Sequence, residues 1–210
     1  MNMKPWELFN YIVSIPHEGY VTAGDDVQFI VTVFPEEKTI RLIFEGTVGK
    51  TDLKNDFKFP IKPYKNQESV LWLARGWADA YKSCNDLIMD TFINTHKSYT
   101  DYRMEICGWS YGGAMSLVAA EDFHYRTKLK PDIITFGAPK PLFGPKTKKY
   151  VASCCNEVRQ YRHRSDFIPC LPPFIGYSNL RSDWLGYWTP LAIFNPPKYH
   201  MSYGDKELYK

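Results

Sequence analysis

Most features that would assign this sequence to a special class are missing from it. The five cysteines (Cys84, Cys107, Cys154, Cys155 and Cys170) are odd in number, include one vicinal pair and match no zinc-ligand spacing. Free thiols in a reducing compartment are the simplest account. The opening Met1-Asn2-Met3-Lys4-Pro5-Trp6-Glu7 has neither the apolar core nor the cleavage site of a signal peptide. No apolar run approaches the roughly 18 residues that a membrane span needs. The expectation is a soluble, unexported, cytoplasmic protein. Internal repeats, low-complexity stretches and Gly/Ser-rich linkers are also absent, so the 210 residues read as a single domain, 1–210, large enough to bury a proper core. The net charge of +3 is too mild for a nucleic-acid partner. The densest basic cluster, Lys146-Thr147-Lys148-Lys149, is short and reads as a solvated helix face.

Aromatic residues, by contrast, are plentiful. They make up 16% of the chain, with six Trp and fifteen Tyr, against ordinary globular values of 44% hydrophobic and 23% charged. This implies either an apolar or carbohydrate-like contact surface or an aromatic-rich core. Periodicity orders the rest. Val27 to Phe34 and Thr39 to Phe44 are β-branched runs around Pro35-Glu36-Glu37-Lys38, which reads as a hairpin. From Glu68 to His96 the apolar positions Val70, Leu73, Trp77, Tyr81, Cys84, Ile88 and Phe92 recur at spacings of three and four, predicting a helix. Met104 to Trp109 and Asp132 to Phe136 read as buried strands, with Cys107 in the core, and Glu157 to His163 as a weaker strand. Gly113 to Phe123 reads as a helix. After Asp166, six prolines punctuate a loop-rich segment. Such alternation predicts an α/β fold: a mixed, mostly parallel central sheet, with an antiparallel opening hairpin and helices on both faces.

Gly108-Trp109-Ser110-Tyr111-Gly112-Gly113 holds the G-x-S-x-G pattern between a predicted strand and a predicted helix. A serine on so sharp a turn brings the residues two before and two after it into close approach, which Gly108 and Gly112 permit because they lack Cβ atoms. The helix start then turns its amides and partial positive charge on the serine oxygen. Ala114 and Ser116 would let that helix pack tightly on the sheet. A neutral serine needs a general base, and the base needs a carboxylate. In this fold type the chain order is Ser, acid, His. His124 falls at the end of the helix after the elbow. His163 lies only three residues before Asp166. His200, in Pro197-Lys198-Tyr199-His200-Met201, has the freedom to fold back and is favoured. Asp166 follows a strand and is the favoured acid, with Asp183 as alternative.

Four segments together resemble the class 3 lipases, the fungal-lipase-like branch of the α/β-hydrolases. Phe44-Glu45-Gly46-Thr47, followed by Asp52 and Asp56, resembles the family's F-R-G-T/S-x(n)-D-W-x-x-D segment. The elbow resembles G-H-S-L-G-G. Thr135-Phe136-Gly137-Ala138-Pro139-Lys140-Pro141 resembles T-F-G-x-P-R-V. Asp166-Phe167-Ile168-Pro169-Cys170-Leu171-Pro172-Pro173 resembles D-x-V-P-x-L-P-P, and His200 falls where the family's histidine would. The resemblance spans about Val27 to Tyr203. It implies an α/β-hydrolase fold and a Ser110–Asp166–His200 triad, with Thr47 and Tyr111 as the oxyanion hole. It also implies hydrolysis of lipid esters through an acyl-enzyme, with no metal or organic cofactor.

The departures are Glu45 for the usual Arg, Trp109 for the usual His, Leu53 where Trp is common, and Arg75-Gly76-Trp77 for H-x-G-F. The segment Val48 to Phe57, which corresponds to the family's amphipathic lid, is mostly polar and predicts weak interfacial activation. Phe174 to Phe194 carries Tyr177, Trp184, Tyr187 and Trp188, which either wall an acyl or aromatic pocket or pack on themselves over the sheet edge. The expected partner is an ester or lipid substrate, with transient contact at a lipid surface allowed. Alternatives are a short-chain carboxylesterase, a feruloyl- or acetyl-type carbohydrate esterase, and a non-catalytic binding module on the same fold.

Overall fold

Side chains alternate across a strand, so a sheet packed on both sides shows apolar residues at successive positions. The central strands here do so. The computed structural model describes residues 3–24, 27–46, 61–65, 70–189 and 196–210. Among them, eleven strands form two sheets. The larger sheet is built from β1 (Val21–Ala23), β2 (Val27–Phe34), β3 (Thr39–Phe44), β6 (Arg103–Trp109), β7 (Asp132–Phe136), β9 (Val158–His163) and β11 (Asp183–Leu185), in that spatial order. β1, β2 and β3 run antiparallel, and β3, β6, β7, β9 and β11 are parallel. The predicted hairpin is β2–β3, with Phe34 opposite Thr39 and Lys38 in the left-handed region at φ 47°.

Helices cover both faces. α1 (Pro5–Ser14) lies on one. α2 (Arg75–Ser98) and α3 (Tyr111–Thr127) lie on the other. Leu42, Phe44, Ile106 and Ile133 meet Trp77, Tyr81, Phe92, Leu117 and Phe123 of α2 and α3. On the other face, Ile43, Cys107, Ile134 and Phe136 meet Leu8, Phe9 and Ile12 of α1. Proline at the first position and the Lys4 amide, donating to Glu7 Oε2 at 2.7 Å, start α1. Ala114 and Ser116 are fully buried, so α3 sits tightly against the sheet as its small residues predict. Tyr81 donates to Asp122 at 2.9 Å and pins α2 to α3.

The helix predicted from Glu68 begins later than expected. Val70–Ala74 is a strand (β5), with Leu71 and Leu73 buried and Val70 and Trp72 half exposed, and α2 starts at Arg75. Five residues are too few for periodicity to decide between helix and strand, and a second sheet decided it. β5 pairs with β4 (Ile61–Lys65) and β8 (Leu142–Phe143), and β8 pairs with β10 (Tyr177–Ser178). This antiparallel sheet shares the α2–α3 core through Tyr64, Leu71, Leu73 and Leu142. Lys146, Lys148 and Lys149 are exposed on α4 (Pro145–Ser153), where the Thr147 hydroxyl accepts the Trp72 N–H at 3.1 Å. The loop-rich tail holds β11 and α5 (Pro196–His200). Each is too short to leave a periodic signature.

A charged network is buried near the amino ends of β3 and β6. Arg41, 2% exposed, binds Glu105 at 2.6 Å and Glu37 at 2.7 Å, and its guanidinium lies 4.4 Å from the Phe34 ring centre. Arg41→Ala would take this partner from Glu37 and leave buried Glu105 with only the longer contact to Arg103 at 3.3 Å. We expect it to destabilise the fold by about 3–5 kcal/mol in urea titration.

Candidate active site

The parallel strands all deliver their carboxyl ends to one edge of the sheet. There β6 turns into α3 through Ser110, whose φ of 54° and ψ of −124° are strained for a residue other than glycine. The turn is held from three sides. The Ser110 N–H donates to the Phe136 carbonyl at 2.9 Å, and the Ser110 carbonyl accepts the Gly113 and Ala114 amides. A Cβ at Gly108 would stand 2.4 Å from the Gly112 carbonyl, and one at Gly112 would stand 2.4 Å from the Glu45 oxygen. Both glycines are therefore required by close approach, as the motif predicts.

Asp166 follows β9 and is 4% exposed. Its Oδ1 accepts the Ile168 N–H at 3.0 Å, and its Oδ2 accepts His200 Nδ1 at 2.7 Å. A carboxylate accepts only, so His200 carries its proton on Nδ1. Nε2 is then left as the basic nitrogen, and it is buried with no hydrogen-bond partner among the described residues. His200 ends the short helix α5 rather than lying in an open loop. Trp109 tethers it: the indole Nε1 donates to the His200 carbonyl at 3.1 Å, and the two rings lie 5.1 Å apart. The tryptophan in place of the usual histidine before the serine is thus a brace for His200.

The alternatives fall away on contacts. Asp183 accepts Arg181 Nε at 2.6 Å and the Gln160 amide at 2.9 Å within the sheet. The His124 ring lies 2.9 Å from the Leu129 carbonyl at the end of α3. His163 Nδ1 accepts the Ser165 N–H at 3.0 Å, and burial lowers the pKa of this ring against the opposing pull of Asp166, keeping it neutral. Tyr111 opens α3 and stacks on Trp77 at 5.8 Å. Thr47, with the Val48–Phe57 segment and its Asp52, Leu53 and Asp56, lies outside the described residues. At Glu45 the expected arginine's charge is reversed, and His17 answers it at 2.9 Å. Arg75 of the altered helix start pairs with Asp79 at 3.1 Å.

Within the aromatic segment, Tyr177 packs edge-on against Phe143. Trp184 lies beneath the Arg162 guanidinium at 4.6 Å, and Tyr187 and Trp188 stand exposed. The segment thus divides between packing and exposure, and its residues 190–194 lie outside the described ones.

Sequence reasoning missed two contributors. Gly137, at φ 59°, is where β7 ends, and a Cβ there would stand 2.8 Å from His200 Cε1 and 3.0 Å from Asp166 Oδ2. A glycine closing a strand was the available signal. Tyr203 donates to Asp166 Oδ2 at 2.7 Å, and nothing local in the sequence marks it.

The model of the Lipase (class 3) family matches residues 41–175. A lipase of Rhizopus niveus is 29% identical over 162 residues, which cover 74% of this chain and 38% of that protein. A lipase of Rhizomucor miehei is 26% identical over 151 residues, which cover 70% of this chain and 41% of the relative. The chain therefore spans about two fifths of the length of these relatives. The structure of the Rhizomucor miehei triacylglyceride lipase superposes with a TM-score of 0.71 at 25% identity, covering 79% of this chain and 64% of that one. We expect Gly137→Ala to displace the His200 ring and lower kcat by on the order of 10²-fold in steady-state assays, with KM changed much less.

Proposed function

The chain belongs to the class 3 lipase family, and on that premise we propose that it is a serine ester hydrolase acting on carboxylic esters of lipids. The observation that carries this reading is the His200–Asp166 pair, 2.7 Å apart and buried beside the strained Ser110 turn. His200 Nε2 takes the proton of Ser110 as the serine oxygen attacks the ester carbonyl. Asp166 keeps the ring in the right tautomer and stabilises the imidazolium. The backbone amides of Thr47 and Tyr111 hold the developing oxyanion, each contributing on the order of 10²–10³ to turnover. His200 then protonates the leaving alcohol, and water releases the acid from the acyl-enzyme.

Phe167 and Met201, directly after Asp166 and His200, are exposed, as are Tyr187 and Trp188. The Tyr187 carbonyl accepts the Ser165 hydroxyl at 3.0 Å, which ties this stretch of backbone to the residue before Asp166. Such exposed side chains fit transient contact with a lipid surface. The mostly polar Val48–Phe57 segment favours a second reading, a short-chain or carbohydrate esterase with weak interfacial activation. The five free thiols fit a reducing, cytoplasmic setting.

The test is hydrolysis of p-nitrophenyl esters from acetate to palmitate. We expect Ser110→Ala to lower kcat by roughly 10⁶-fold and Asp166→Asn by roughly 10⁴-fold. A fluorophosphonate should label the wild type and leave Ser110→Ala unlabelled. Preference for long chains identifies a lipase and preference for short chains an esterase. Equal activity in wild type and Ser110→Ala would remove Ser110 from the mechanism.

A further inference from the structure

We infer that Tyr203 is a positioning residue of the Asp166–His200 pair: its hydroxyl fixes and partly neutralises the Asp166 carboxylate, and so sets the pH at which His200 becomes a base. The inference rests on the triad reading above. Tyr203 lies in a 3-10 turn, Ser202–Gly204, and is fully buried. Its oxygen accepts the His163 N–H at 3.1 Å. A phenol has one hydrogen to give, and with a donor already aimed at its oxygen that hydrogen is directed to Asp166 Oδ2 at 2.7 Å. This is the same carboxylate oxygen that receives His200 Nδ1.

The ring cannot swing away. It packs between Phe9 and Phe136 at 5.6 and 6.1 Å, and the Tyr203 carbonyl accepts the Tyr209 hydroxyl at 2.9 Å. Burial, with the Asp166 charge adding to it, pushes the phenol far above its ordinary pKa, so it remains a donor across the working range. Other polar and charged groups near the cluster are the neutral His163, Arg162, Tyr161 and Tyr209, together with the Trp109 indole on His200. The α1 side chains buried on this side are the apolar Leu8, Phe9 and Ile12.

The consequence has a definite sign. A carboxylate that shares its charge with a neutral donor attracts an imidazolium less than a bare one does. Removing the hydroxyl strengthens that attraction, so the acidic limb of the kcat/KM profile moves to higher pH. For Tyr203→Phe we expect an upward displacement of about half to one pH unit. That amounts to a roughly 3- to 10-fold loss on the acidic side, with a smaller loss on the alkaline plateau.

A purely structural role would lower Tm and scale kcat/KM equally at every pH, and that result would overturn the proposal. Should Tyr203→Phe fail to fold, a fluorinated tyrosine at position 203 keeps the ring and the hydroxyl but donates more strongly. The limb should then move to lower pH, and an unmoved limb would again overturn the proposal. Ser110→Ala separates the two readings. If that variant keeps wild-type turnover, the triad itself fails. If it is inactive while both Tyr203 replacements leave the limb in place, only the role of Tyr203 fails.

Discussion

The architecture of the site depends on how closely backbone can approach backbone at the β6–α3 turn. Gly108 and Gly112 let the turn close on itself and on the Phe44–Glu45 carbonyls, with contacts that no Cβ would allow. Only then can Ser110 hold its positive φ and lean on the Phe136 carbonyl of the neighbouring strand. The strain is confined to one residue because β3, β6 and β7 clamp the turn on both sides. Their parallel register places Phe44 beside Gly108 and Trp109 beside Phe136.

From that turn the other functional groups follow by adjacency along the same sheet edge. β7 ends at Gly137, which leaves room for the His200 ring, and β9 leads to Asp166. His200 arrives from the far end of the chain, so it needs anchors of its own. It has the Trp109 indole on its carbonyl and the Asp166 carboxylate on its ring. The acid is anchored in turn by the Ile168 amide and the Tyr203 hydroxyl. The packing beneath is aromatic: Phe9, Trp109, Phe136 and Tyr203 meet one another edge-on or tilted. Much of the high aromatic content is therefore core.

Buried charge is also partitioned. At the amino ends of β3 and β6, Arg41 binds both Glu105 and Glu37, and Arg103 brings a second positive charge 3.3 Å from Glu105. At the carboxyl edge, Asp166 is met by donors, one of which is an imidazole that can gain or lose a proton. The first arrangement holds structure, since all its charges are paired. The second leaves one nitrogen of His200 without a partner among the described residues, and so open to an incoming donor.

Sequence alone determined what depends on local spacing. The hairpin, the central strands, α3 and the elbow glycines were all legible there, because two-residue and 3.6-residue periods and close-approach glycines leave marks in a linear string. It could not determine what depends on partners distant in the chain. Val70–Ala74 became a strand because β4 and β8 lie beside it, and a five-residue apolar run carries no period long enough to say so. α1 docks under the sheet through Leu8, Phe9 and Ile12, which acquire their meaning only against Trp109, Phe136 and Tyr203. The choice of Asp166 over Asp183, the brace from Trp109 and the hydrogen bond from Tyr203 were decided by folding as well. Each joins residues more than thirty positions apart, and hydrogen bonds across such distances are set by where the packed elements place their ends.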